Sequence, residues 1–369
     1  MRIGIDAHYL GNQSGGNETY TRNLLRGLQR LAPPAEFVLF CAPELPRDDP
    51  DAAGFERVDL PVHSAYLRVP FAMPWLAAKH KLDLLHVQYT APPWCPCPYV
   101  VTLHDVVMLR FPESLAWKER YRLRWMTPRT LSAAARVFTV TNAMRASIHE
   151  AYGVPLDRID VTPNALSPGY APAAPEQVAA VREKYGLPER YVLYLGLLQP
   201  RKNVHRLAEA FARLEARGLD HKLVIVGKKA WLYDAMLRAI APLEAAGRVV
   251  FTGYADAADL PALYTGADVF AFVSLYEGFG IPVIEALACG TPVLASDDPA
   301  LVEVAGGGAM HVDPLDVGAI EDGMARLISD APLRAELLAK GTPHARAYTP
   351  EAVGAAAWEG YRKSFTQRR

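Results

Sequence analysis

Cysteine is scarce: Cys41, Cys95, Cys97 and Cys289 are the four in 369 residues, too few and too scattered for a disulfide framework. Cys95-Pro-Cys97 looks like half a metal site, but no second pair or histidine cluster stands at zinc-finger spacing, so the thiols read as structural or incidental. An excess of one charge is also missing. With 39 basic against 40 acidic residues the formal net charge is -1 and the pI near 6.8, which argues against a surface built to bind nucleic acid. No apolar run is long enough to cross a bilayer. Met1-Arg-Ile-Gly-Ile-Asp6 passes straight into a strand carrying an acid, so no signal peptide is expected and the expected location is the cytoplasm. Asp49-Pro-Asp51 has the look of a metal-holding acidic motif, yet it sits in a Pro- and Asp-rich stretch that reads as an exposed turn. Neither a metal nor another cofactor is expected.

What is present is a regular alternation. Apolar, β-rich runs alternate with helical patterns at Met1 to Asp6, Glu36 to Cys41, Leu84 to Gln88, Tyr99 to Leu103, Arg136 to Val140 and Arg158 to Thr162, and again at Tyr191 to Leu195, Lys222 to Val226, Arg248 to Thr252, Val269 to Val273 and Pro292 to Ala295. Each half therefore carries the signature of a doubly wound parallel α/β sheet, and the length suits two domains, each burying roughly 70 % of its unfolded surface. The proline-rich segment from Ser167 to Pro175 lacks periodicity. The expected division is residues 1–166, a linker region 167–188 with its hinge near Pro168, and residues 189–349.

The chemistry concentrates in the second half. Glu277-Gly-Phe-Gly-Ile-Pro-Val-Ile-Glu285 follows the run Val269 to Val273 and sets two carboxylates eight positions apart across a glycine turn and a helix-starting proline. Such a turn offers backbone N–H groups of Gly278, Phe279, Gly280 and Ile281 to a phosphate-bearing ligand. Glu277 is placed to reach sugar hydroxyls and Glu285, read into the first helical turn, to accept from a ribose diol. The plainer alternative leaves Glu285 complementing a helix dipole and Glu277 solvated. After Gly196, Arg201 and Lys202 precede Asn203, read as the cap of a helix with apolar positions Val204, Leu207, Ala208 and Phe211. Two cations at a strand's carboxyl end suit a diphosphate, although an Arg-Lys pair is often a solvated turn. In the first half, Ser14-Gly15-Gly16-Asn17 precedes a helix at Thr19 to Leu28, and His104-Asp105 closes the strand Tyr99 to Leu103.

These segments, with Ile3-Gly-Ile-Asp6, Asp160-Val-Thr-Pro-Asn164 and Ala286-Leu-Ala-Cys-Gly-Thr-Pro-Val293, resemble the retaining glycosyltransferases of family 4, which have the GT-B fold. The resemblance spans nearly the whole chain. It implies two Rossmann-like domains facing a cleft, a nucleotide-sugar donor on the second, a glycan or lipid-linked acceptor on the first, and a last helix, about 350–369, returning to the first domain. It implies His104, Arg201, Lys202 and Glu277 as catalytic residues and Gly15, Gly16, Gly196, Gly278, Phe279, Gly280, Ile281 and Glu285 as donor-binding ones. Front-face attack with retention follows from the same likeness, the leaving phosphate helping to take the acceptor's proton. Glu-Gly-Phe-Gly-Ile-Pro with Gln-Pro-Arg-Lys-Asn resembles mannosyltransferases of surface-polysaccharide pathways, which implies GDP-mannose as donor, with UDP-sugars next. Ala165-Leu-Ser167 and Gly306-Gly-Gly-Ala309 depart from the family's usual segments, which leaves acceptor specificity open.

Two other classes stay open at this stage, a sugar-nucleotide epimerase of the same shape and a catalytically silent assembly subunit. Between Arg110 and Arg129 a basic segment carries Trp117, Tyr121 and Trp125 at i, i+4 and i+8. Either the aromatics pack on the first domain, or the helix makes peripheral contact with an anionic membrane.

Overall fold

The computed structural model describes residues 1–12, 15–227 and 234–366, without the side chains of Ser114 and of 234–237. Its residues form two compact units, Met1–Ser167 with Tyr348–Arg369, and Pro168–Ala347.

The first unit holds β1 (Arg2–Ala7), β2 (Glu36–Cys41), β3 (Glu56–Asp59), β4 (Leu84–Gln88), β5 (Tyr99–Thr102), β6 (Arg136–Thr139) and β7 (Ile159–Val161). All pair in parallel, in the order β3-β2-β1-β4-β5-β6-β7. The second holds β8 (Tyr191–Leu195), β9 (Lys222–Val226), β10 (Val249–Gly253), β11 (Val269–Phe272), β12 (Val293–Ser296) and β13 (Ala309–Val312), again parallel, in the order β10-β9-β8-β11-β12-β13. Tyr-Val-Leu-Tyr and Leu-Val-Ile-Val are apolar at every position because helices cover both faces of each sheet. In the second unit, Val204, Leu207, Ala208 and Phe211 form one stripe of the helix Val204–Arg213 and pack into a core with Tyr194, Ile225, Val269 and Leu294.

Two strands were not legible. Both β3 and β13 lie at sheet edges, where one neighbour and partial exposure leave little need for an apolar run, and β3 reads Glu-Arg-Val-Asp. The expected linker 167–188 is also not all coil. Pro175–Tyr185 is a helix of the second unit, with Pro175 in its first turn and Gln177 Oε1 accepting from Ala174 N at 3.0 Å. Nor is Asp49-Pro-Asp51 an exposed turn: Asp49 and Asp51 are buried, each paired with Arg22, and Asp51 also with Arg26, on the helix Gly16–Leu31. The carboxylates hold that helix to the loop after β2.

The last helix, Pro350–Thr366, lies against the helix Gly16–Leu31. Two glycines set how near the backbones come. A Cβ on Gly27 would stand 2.0 Å from the Pro350 carbonyl oxygen, and one on Gly354 2.4 Å from the Gly27 carbonyl carbon. Arg30 pairs with Glu351 across the contact, and the buried Tyr361 hydroxyl meets His86 Nδ1 at 2.7 Å beneath it. Gly354→Leu is therefore expected to destabilise the protein by about 1–3 kcal/mol or more, because neither backbone can retreat without parting from the sheet. Urea unfolding of the variant against the unsubstituted chain measures this.

Candidate active site

In the second unit the carboxyl ends of β8 and β11 are neighbours, so the segments after them meet. Pro200–Lys202 forms one 3-10 turn after β8, and Leu275 N donates to the Arg201 carbonyl at 2.8 Å, lacing it to the segment after β11. Glu277 is the centre of this junction. Its carboxylate lies 3.1 Å from Arg201 Nη1 and 2.5 Å from Lys202 Nζ, and all three side chains are largely buried. Arg201 Nη1 also donates to the Tyr276 carbonyl at 2.8 Å, while the Lys202 ammonium stands 4.9 Å from the centre of the Phe272 ring. The cations are therefore not a solvated turn, and Glu277 is not a surface acid.

Asn203 holds the turn from below. Its backbone is left-handed, φ 59°, and it occupies the cap position of the next helix without its side chain capping that helix. The Nδ2 donates instead to the carbonyls of Val273 at 3.0 Å and Pro314 at 2.6 Å, and Oδ1 accepts from Arg206. The expected cap is thus a fully buried clamp between three loops.

Burial alone would raise the Glu277 carboxyl, but the charges of Lys202 and Arg201 outweigh it and hold the group at about 2. Asp298 sits near it at the start of the helix Pro299–Ala305, where its Oδ1 accepts from Ala300 N at 2.9 Å; burial pushes its carboxyl up to about 6.

Gly278, Phe279, Gly280 and Ile281 carry the chain into the helix Ile281–Ala288. Only Gly fits at 280, where φ is 92° and a Cβ would stand 2.3 Å from Leu301 Cδ2. The Phe279 ring is buried, so what this residue can offer a ligand is backbone and not its side chain. Glu285 falls in the second turn of the helix, not the first, because the helix begins at Ile281. It is buried and accepts from the Tyr264 hydroxyl at 2.9 Å, with Tyr170 as a second hydroxyl partner. Burial raises its carboxyl to about 7 despite both. Gly196 lies just past β8, its N–H bonded to the Val226 carbonyl at 3.0 Å.

His104, Gly15 and Gly16 belong to the first unit. Gly15 has φ 60° and stands before the helix Gly16–Leu31; Ser14 lies outside the described residues. The strand expected to reach Leu103 ends at Thr102, two residues before His104. His104 is buried, packed edge-on to the Tyr20 ring, and its Nε2 meets Gln88 Oε1 at 2.7 Å. Because Gln88 Nε2 donates to Thr21 Oγ1, its oxygen faces the histidine, and His104 Nε2 carries the hydrogen. Burial pushes the imidazole down to about 3, so it is neutral at pH 7. Asp105 serves elsewhere, its Oδ1 accepting from Val107 N at 3.0 Å.

Gln88, Tyr170, Tyr264 and Asp298 were not picked out in the sequence. Each sits in an ordinary apolar or loop context, and only the fold of its own unit brings it to its partner, Gln88 to His104 in the first and the other three to Glu285 or Glu277 in the second.

Among the described residues, no group of three His, Cys, Asp or Glu is placed to hold a metal ion, and no helix is long and apolar enough to cross a membrane. The stripe Trp117, Tyr121 and Trp125 does not pack on the first unit; the side chains are 57–63 % exposed on the helix Trp117–Ala133.

Two Rossmann-like parallel sheets, the second with fixed cations at its carboxyl edge, make up the GT-B fold. The Glycosyltransferase Family 4 description matches residues 14–170 and Glycosyl transferases group 1 residues 178–342. The chain is 33 % identical over 258 residues to O-antigen chain mannosyltransferase B of Escherichia coli, covering 68 % of this chain and 67 % of that protein. It is 28 % identical over 251 residues to the serotype-specific mannosyltransferase WbdA of Escherichia coli, covering 66 % of this chain but only 31 % of that longer protein. Anabaena HepE, solved with UDP and glucose, matches in structure with a TM-score of 0.75 at 18 % identity, over 98 % of this chain and 99 % of that one. The chain belongs to the family 4, or group 1, glycosyltransferases.

The Glu277 ion pairs make stability depend on acid. The carboxyl ordinarily titrates near 4.5, so its contribution is complete above about pH 4.5 and is lost as pH falls toward about 2. Glu277→Gln is expected to start from a lower Tm at neutral pH and to lose less of it between roughly pH 5 and 3, as read by thermal melts across that range.

Proposed function

We propose that the chain transfers a mannosyl group from GDP-mannose to a glycan or lipid-linked acceptor in polysaccharide biosynthesis, with retention at the anomeric carbon and without a metal ion. The observation that carries this reading is the buried cluster of Arg201, Lys202 and Glu277 at the carboxyl edge of the second sheet. It fits a diphosphate that also bears a hexose. The similarity to O-antigen chain mannosyltransferase B supports mannose as the sugar. A UDP-sugar is the second reading, favoured by the likeness to HepE, solved with UDP and glucose.

As the bond between the anomeric carbon and the diphosphate breaks, negative charge grows on the departing oxygen. Cations already fixed in a buried site stabilise that charge without rearranging at the moment of reaction. Glu277 holds both in place and, being ionised, can accept from a hydroxyl of the sugar. Glu285 takes the ribose diol; a carboxylate has about four acceptor positions, so Tyr264 and Tyr170 do not exhaust it. The leaving phosphate receives the acceptor's proton while the acceptor oxygen attacks from the same face, which retains configuration without a covalent carboxylate intermediate. His104, neutral and fixed by Gln88, contacts the transferred sugar through its ring or carbonyl and donates no charge.

Peripheral contact with an anionic membrane at its cytoplasmic face belongs to the same reading. Trp117, Tyr121 and Trp125 are exposed beside basic side chains, with Lys118 over the Trp117 ring and Arg129 over that of Trp125. Tyr66, from another segment of the first unit, lines the same surface pocket and is 51 % exposed. Aromatic rings with cationic neighbours suit the headgroup region of a bilayer.

Incubation with a panel of nucleotide sugars is expected to release GDP from GDP-mannose. Arg201→Ala and Lys202→Ala should each lower turnover about a hundredfold or more, by analogy with loss of an oxyanion-stabilising donor; near-normal turnover in both refutes the assignment. In liposome flotation the chain should rise with phosphatidylglycerol vesicles, and Trp117→Ala with Trp125→Ala should leave it at the bottom of the gradient.

A further inference from the structure

The first sheet reverses direction of growth between β1 and β4, since its order runs β3-β2-β1-β4-β5. In open parallel sheets the crevice beyond the carboxyl ends at such a reversal is where ligands sit. The register Ile5 opposite His86 carries forward so that the residues after Ala7 lie beside those after Gln88. What stands there is a histidine–aspartate pair that the donor site does not use.

Asp6 is buried near the end of β1, and its Oδ1 lies 2.8 Å from His8 Nδ1. Arg68, itself buried, places Nε 3.9 Å from the other oxygen. Burial would raise the Asp6 carboxyl, but His8 and Arg68 outweigh it and hold it at about 2. Asp6 Oδ1 accepts from Nδ1, so in the neutral ring the hydrogen is on Nδ1 and Nε2 has the lone pair. That nitrogen has no hydrogen-bond partner among the described residues, and the side chain keeps 14 % of its surface open.

The surroundings suit a sugar. Tyr9 packs against His8 with ring centres 3.8 Å apart, and Tyr89 follows β4 with a φ of 61°, a strained value for a residue with a side chain. Arg122 reaches the same edge and donates to Thr90 Oγ1 at 2.9 Å. A pyranose presents apolar ring faces and directional hydroxyls, and aromatic walls with one fixed acceptor answer both. Holding the turn after β1 does not account for the open nitrogen, because Leu10 N to the Ala7 carbonyl and Asn12 Nδ2 to the His8 carbonyl already close that turn.

We propose that His8, positioned by Asp6, binds a hydroxyl of the acceptor sugar at this edge of the first sheet. The inference rests on the glycosyltransferase reading and adds the acceptor's site to it. His8 is then a binding residue and Asp6 a positioning residue.

Saturation-transfer NMR on the full chain with methyl α-D-mannopyranoside tests it, alongside GDP binding by thermal shift. The mannoside is expected to saturate on the unsubstituted chain. His8→Ala should weaken it about tenfold, the loss of one hydrogen bond to an aligned acceptor, and His8→Gln, which keeps an acceptor oxygen, should recover part of that. Asp6→Asn should weaken it as well, while GDP raises the Tm of all four proteins alike. A mannoside titration in His8→Ala that matches the unsubstituted chain, or no saturation in the unsubstituted chain, overturns the proposal while leaving the donor reading intact. Failure of both GDP and UDP to raise any Tm overturns the donor reading, and the acceptor site with it.

Discussion

The second unit is organised around one buried carboxylate between two cations. Glu277 could not remain ionised at its depth without Arg201 and Lys202, and neither cation could be held so far from water without Glu277. Removing Glu277 leaves two cations facing each other in a poorly solvated place, whereas removing either cation leaves the carboxylate on a single partner. The constraint runs outward from there: Asn203 must be left-handed and buried to bring the cations under the carboxylate, Gly280 must turn the chain away from Leu301, and Asp298 must start its helix nearby. A cluster tied at so many points is preorganised by its own contacts.

In the second unit charges are buried against each other and the carboxyls are driven apart in acidity, Glu277 down to about 2 and Glu285 up to about 7. Two glutamates eight residues apart thus meet neutral pH in different states, one firmly ionised and one near its midpoint, because one faces cations and the other faces tyrosine hydroxyls in an apolar setting. In the first unit Asp6 is likewise kept ionised by His8 and Arg68, while His104 is held by an amide instead of by an acid.

Most of the fold was legible in the sequence because parallel strands covered on both faces must be apolar throughout, and eleven such runs stand out. The two strands that were missed, β3 and β13, are edges whose residues answer to one neighbour only. The helix Pro175–Tyr185 was hidden by a proline-rich approach that masks its start. In the site, residues announced by local chemistry were found at the sheet edges expected of them: Arg201 and Lys202 in a turn after a strand, Glu277 in a glycine loop. Partners supplied by the fold were not, since nothing in Leu260–Thr265 marks Tyr264 as the donor to Glu285, and nothing around Gln88 marks it as the amide that orients His104. Asp49 and Asp51 were misread for the same reason, their arginines lying more than twenty residues upstream.

The chain leaves the first unit at Ser167 and re-enters it at Tyr348, where the Leu166 N–H bonds to the Tyr348 carbonyl at 2.9 Å. Residues 168–347 are contiguous and can close their core from within one span. The seven-stranded sheet cannot: the helix Gly16–Leu31 and the Phe138 side of β6 stay uncovered until Gly354 and Tyr361 have been made. The unit that opens this sequence is therefore completed only after the one that follows it.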